Sequence, residues 1–169
     1  MPTREWLADA ICFVDRSEIK SDMVADVEGR WEGLKRGRHS PARQDVDPFI
    51  FQAWLPYISI VELQDDPFRV FYRLVGTEVA RFGQEDFSYK WLSETDWDPA
   101  LKAANLEIYR RLRVNRTPLF GLSKIEWEDR DDQVFEWGVF PLSHDGQTVT
   151  HCLSVDDFRS IAPRVSPLG

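Results

Sequence analysis

Up to about residue 56 the chain follows a helical rhythm; from Tyr57 short apolar runs alternate with polar turns. Residues 4–19 place Leu7, Ile11 and Val14 on one stripe with Trp6, Ala10 and Phe13 beside it, which predicts an amphipathic helix. Ser21 or Asp22 can cap a second helix in which Met23, Val27, Trp31 and Leu34 share a face. Lys35 and Arg36 suit its negative C-terminal end, and Gly37 stops it. Asp47-Pro48 reads as a cap and first-turn proline of a short helix ending before Pro56. Residues 57–63 (YISIVEL) and 68–75 (FRVFYRLV) predict a hairpin around Asp65-Asp66-Pro67. A short helix with Val79, Ala80 and Phe82 ends at Gly83. Asp98-Pro99 opens a long helix carrying Leu101, Ala104, Ile108 and Leu112 on one stripe, with Asn115 expected to end it in the left-handed conformation. Three strands follow, 118–128, 133–142 and 147–156. Their turns fall at 129–132 and 143–146, the second using Gly146 for a positive φ.

Sequential hairpins with helices gathered between them predict an α+β fold. Five strands with helices on one face leave a concave space for a ligand. The expected organisation is an N-terminal helical extension over 1–22, one domain over 23–158 and a flexible tail over 159–169. In the strand 133–142, Phe135, Trp137, Val139 and Pro141 alternate with Val134, Gly138, Phe140 and Leu142, so both faces are apolar and both need cover. The convex face then requires N-terminal helices, either the chain's own or those of a second subunit. This is the reason to expect a homodimer through those helices, or a signalling-protein partner.

The order of elements, together with several local motifs, resembles a PAS domain, and specifically the bacterial single-domain PAS proteins of the PAS_5 type. The motifs are Trp31-x-x-Leu34 with Arg38, Pro41-x-Arg43, Asp47-Pro48, Leu55-Pro56, Phe71-Tyr72-Arg73-Leu74-Val75-Gly76-Thr77 with Gly83, and Pro141-Leu142 with Asp145-Gly146. They span roughly residues 24–156. One segment departs: where the family often reads Leu-Thr-Gly-Arg, this chain has Phe87-Ser88-Tyr89-Lys90, without the glycine. The resemblance implies a five-stranded antiparallel sheet of order 2-1-5-4-3. It also implies sensing or protein contact in place of catalysis, and frequent dimerisation through N-terminal helices.

The formal net charge of -8 argues against a nucleic-acid partner and against an anionic membrane surface. No run of 18 apolar residues predicts a spanning helix, no secretory leader is visible, and Cys12 and Cys152 form no motif, so a cytoplasmic protein with reduced thiols is expected. His39, His144 and His151 lack metal-ligand spacing, and Asp129, Asp131 and Asp132 lack the order of a calcium loop. Residues 99–114 hold no histidine for haem, and 84–98 hold no cysteine for a flavin adduct, so no cofactor is expected.

Alternation proposes Tyr72, Leu74, Phe82, Leu106, Tyr109, Phe120, Trp137 and Val139 as lining a ligand pocket. Arg43 and Arg73 are polar candidates. Arg73 sits inside an apolar strand, so it holds either a ligand anion or a structural carboxylate such as Asp45, Asp47 or Glu78. Three functions fit: a non-catalytic sensory module signalling by docking, a small enzyme or carrier using a polar pair such as Tyr109 with Glu107 or Asp157, and an adaptor with a filled core.

Overall fold

The computed structural model describes residues 4–124 and 133–161. One antiparallel sheet organises the chain. Its strands are β1 (Ile11–Val14), β2 (Ile58–Gln64), β3 (Arg69–Val75), β4 (Leu119–Lys124), β5 (Val134–Leu142) and β6 (His151–Asp157). The order across the sheet is β1-β4-β5-β6-β2-β3. Counted from Tyr57 onward, this is the expected 2-1-5-4-3 arrangement with a sixth strand added at one edge. The helices are α1 (Asp22–Leu34), α2 (Thr77–Phe82) and α3 (Pro99–Asn115).

The sixth strand corrects the helix expected over 4–19. Ala8 and Asp9 adopt positive φ (51° and 53°) and reverse the chain, and Ile11–Val14 then pairs with the outer edge of β4 from Ile11↔Ser123 to Val14↔Phe120. The run Ile-Cys-Phe-Val suits a pleated surface, and an unpaired β4 edge offers it a ladder of donors and acceptors. Helical spacing of Leu7, Ile11 and Val14 competes with that offer and loses.

α1 forms as expected. The Ser21 hydroxyl accepts from the Val24 N–H at 3.1 Å, and Gly37 takes positive φ (81°) beyond the helix end. Met23, Val24, Val27 and Trp31 are at most 1 % exposed and pack on Phe140, Leu142, Leu153 and Val155, on the convex face of the sheet. Each such burial contributes about 2 kcal/mol. The Trp31 indole donates to the Pro141 carbonyl at 2.9 Å, tying the helix to β5. The convex face is therefore covered by the chain's own helix.

A 3-10 segment, Pro48–Tyr57, joins α1 to the sheet. Asp47 caps it as expected, but it kinks at Phe51 and runs through Pro56, where the sequence predicted an end. The kink divides the segment into two short pieces, and Pro56 stands in the last turn of the second, where its missing N–H costs at most one intrahelical bond. Here two motifs of the sequence meet: a Cβ on Gly76 would lie 2.3 Å from the Pro56 carbonyl oxygen, so only glycine lets β3 pass under the Leu55-Pro56 turn.

α3 is capped by Asp98, which accepts from the Ala100 N–H at 3.0 Å. The left-handed residue that ends it is Arg116 (φ 58°), one position beyond the expected Asn115. Ala104, Ile108, Tyr109 and Leu112 press against the concave face with Val61, Leu63, Val70 and Tyr72. Gly146 supplies the positive φ (76°) of the last turn. Residues 125–132, which include the turn at 129–132 with Asp129, Asp131 and Asp132, lie outside the described residues, as does the tail from 162. Arg159, assigned by sequence to a loose tail, is anchored instead: its guanidinium bonds both Asp157 and Asp22, and Ile161 is buried.

Candidate functional site

Between the concave face and α2, α3 and their connecting segment lies a cavity of about 370 Å³. This is within the range of small-molecule pockets, roughly 300–1,000 Å³. Aromatic rings form much of its wall. Tyr72 of β3 meets Phe87 edge-on at 4.7 Å, and Phe87 meets Trp97 at 5.0 Å. Phe82 of α2 stacks on Phe158 at 4.3 Å, and Phe135 of β5 leans on Phe158 at 4.6 Å. Such pairs hold rigid shapes with few torsions to freeze.

The sheet supplies the polar floor. Alternation along β6 sends Cys152, Ser154 and Asp156 to the concave side and Leu153, Val155 and Asp157 to the convex side. Ser59 of β2, paired with Ser154, joins them in the cavity lining, with Ser123 and Lys124 of β4. Several of these groups are already engaged. Ser123 accepts from the Trp137 indole at 2.9 Å, Lys124 pairs with Asp9 at 2.9 Å, and Asn105 donates to the Leu101 carbonyl at 2.9 Å.

Asp156 differs. Its carboxyl has no hydrogen-bond or ionic partner among the described residues, and its accessible surface faces the cavity. Burial raises its pKa from the ordinary carboxylate value to about 7. Tyr72 and Tyr109 lie nearby with ring centres 6.5 Å apart, and burial, the largest cause, pushes both phenols upward. The Cys152 thiol is raised by burial and then by Asp156. Asp156 is thus the buried carboxyl of the site, and Tyr72, Tyr109 and Cys152 beside it stay protonated near pH 7.

Of the residues proposed from sequence, Tyr72, Phe82 and Tyr109 line this cavity, and Trp137 and Val139 pack in the same concave core. Leu74 does not face it. Ile60 pairs with Leu74 but Val61 pairs with Tyr72, so Arg73 is an extra residue in β3. That bulge reverses the alternation and leaves Leu74 43 % exposed beside the convex-facing Ile60. Phe120 belongs to the convex cluster, against Phe140. Leu106 lines a separate, smaller groove with Phe68 and Trp91. Arg73 is exposed and pairs with Glu62 at 2.6 Å, a carboxylate the sequence reading did not name. Arg43 is exposed, and its guanidinium donates to the Val46 carbonyl at 3.5 Å. Neither arginine enters the cavity lining. Glu107 is spent on Arg111 at 3.0 Å, and Asp157 on Ser21 and Arg159 across the sheet.

The polar residue missed was Asp156. Its signal was present: Cys152, Ser154 and Asp156 alternate with Leu153 and Val155, a strand with a polar stripe that needs either solvent or a cavity. Among the described residues no group of three His, Cys, Asp or Glu side chains is placed to hold a metal ion, and no helix is long and apolar enough to cross a membrane.

A PAS domain family model, PAS_5, matches residues 19–155. No curated protein matches the chain.

Proposed function

Because the chain belongs to the PAS_5 family of PAS domains, which are sensory and regulatory modules in general, we propose that it senses a small molecule in the concave cavity and passes the signal on by docking. The observation that carries this reading is the unpartnered carboxyl of Asp156 in a cavity of about 370 Å³ walled by aromatic rings. A carboxyl in an aromatic-walled cavity without a hydrogen-bond or ionic partner among the described residues costs stability unless something is gained from it. The reading of a filled-core adaptor does not fit such a space.

A route from cavity to surface lies in β6. Asp156 faces the cavity, while the next residue, Asp157, accepts from the Ser21 hydroxyl at 2.6 Å and bonds Arg159, which also reaches Asp22. Ser21 is the cap of α1. A ligand that shifts the end of β6 therefore acts on the start of α1, on the opposite side of the sheet. Differential ligand affinity for two placements of α1 then sets their populations. Docking of that helix to a signalling protein, or to a second copy of the chain, completes the proposal.

The alternative, an enzyme or carrier using the same cavity, draws on Asp156 with Tyr109 as the polar pair. Native mass spectrometry of the purified chain, with Ser154→Phe as the filled-cavity variant, tests the proposal. A small molecule retained by the wild type and lost in the variant, unchanged chemically after incubation, supports sensing. Conversion of that molecule favours the enzyme. Failure of the wild type to retain a molecule and to bind any from a metabolite library refutes the ligand-sensing reading.

A further inference from the structure

We propose that the cavity selects an organic cation, a compact aromatic or aliphatic body carrying one ammonium group, with Asp156 as its counter-ion. This rests on the ligand-sensing reading above and adds the chemical class.

The charges around the cavity argue for it. Asp156 lies on the floor without a partner. Among the described residues the one basic side chain in the lining is Lys124, on the β4 side, and its ammonium is already held by Asp9 at 2.9 Å and sits 4.4 Å from the ring centre of Trp6. The other acidic residue in the lining, Asp98, is an exposed helix cap. An anionic ligand would meet an unpaired carboxylate, with no free cation among the described lining residues to offset it. A neutral apolar ligand would fill the space but leave Asp156 desolvated and unsatisfied. A cation satisfies the carboxylate, and the electron-rich faces of Tyr72, Phe87, Trp97 and Tyr109 favour a positive charge among them.

The groups packed around Asp156 make the pH dependence readable. Tyr72 of β3, Tyr109 of α3 and Cys152 of β6 are pushed upward by burial, so they remain uncharged through neutrality. Trp137, its cross-strand neighbour on β5, and Ser59 and Ser154 do not titrate. Lys124 and Asp98 complete the charged lining. Between pH 6 and pH 8 the change in ionisation belongs to Asp156, whose pKa is about 7.

The test uses the full chain with three probes of matched shape: phenethylamine, 2-phenylethanol and phenylacetate, followed by ligand-observed NMR and calorimetry. Phenyltrimethylammonium, which cannot lose its charge, serves for the pH series. Expected are binding of the amine at least tenfold tighter than the alcohol, no binding of the acid, and a loss of tenfold or more for the amine in Asp156→Asn with the alcohol unaffected. The quaternary probe should gain up to about tenfold in affinity from pH 6 to pH 8, following the ionised fraction of the carboxyl. Equal binding of alcohol and amine, or amine binding unchanged in Asp156→Asn, overturns the cation class while leaving a ligand cavity in place. Absence of binding by all three probes overturns the cation class. If the purified chain also retains nothing from expression, the sensing reading falls with it.

Discussion

Removing the charge of Asp156 should stabilise the protein, and more so as pH rises. In the folded chain the carboxyl has a pKa of about 7, against 3.8 when unfolded. The folded state therefore holds the proton over a window in which the unfolded state has released it. Stability linked to this proton is fully present below about pH 4 and is lost as pH climbs through about 7. At about 1.4 kcal/mol per pH unit, the loss between pH 5 and pH 8 reaches about 3 kcal/mol at most. Asp156→Asn keeps the shape of the side chain and cannot ionise. Its advantage over the wild type should grow across that interval, by up to about 3 kcal/mol in urea denaturation. For a domain of this size about 1 kcal/mol corresponds to a shift of roughly 2–4 °C in Tm, so thermal melts at pH 5, 6.5 and 8 resolve the effect. Parallel stability curves for the two proteins, or an advantage for Asn that shrinks with pH, would refute the claim that this carboxyl is desolvated and unpaired.

Other positions test the frame that presents the cavity. A Cβ on Gly121 would lie 2.1 Å from the Trp137 ring and 2.7 Å from the Cys12 carbonyl oxygen, so Gly121→Ala should cost about 1–3 kcal/mol in urea denaturation, as overpacking does. Ser21→Ala removes both the cap of α1 and the bond to Asp157; a loss of about 1–2 kcal/mol is expected, with faster amide exchange in the first turn of α1. Tyr89 stands at φ 60°, a left-handed conformation that favours glycine, and is exposed. Tyr89→Gly should therefore be neutral or stabilising by up to about 1 kcal/mol in thermal unfolding, and a clear loss would mean that the ring makes a contact that matters.

Local chemistry alone determined much of the architecture. Ser21, Asp47 and Asp98 announce helix starts because a short oxygen-bearing side chain is what an open helix end requires, and all three act as caps here. The five strands after Tyr57 and their hairpin order follow from apolar runs separated by turn residues, and two apolar faces on β5 foretold covers on both sides. What tertiary structure decided depends on partners remote in sequence. Residues 11–14 became a strand because β4, more than 100 positions away, offered an edge. The bulge at Arg73 turned Leu74 away from the cavity, since alternation holds only while each residue has an opposite number. Asp156 and Asp157 are two acids ending a strand, and alternation puts them on opposite faces without saying what either face meets. Only the pairing of β6 between β5 and β2 sends one into an aromatic cavity without a partner among the described residues and the other to the cap of α1.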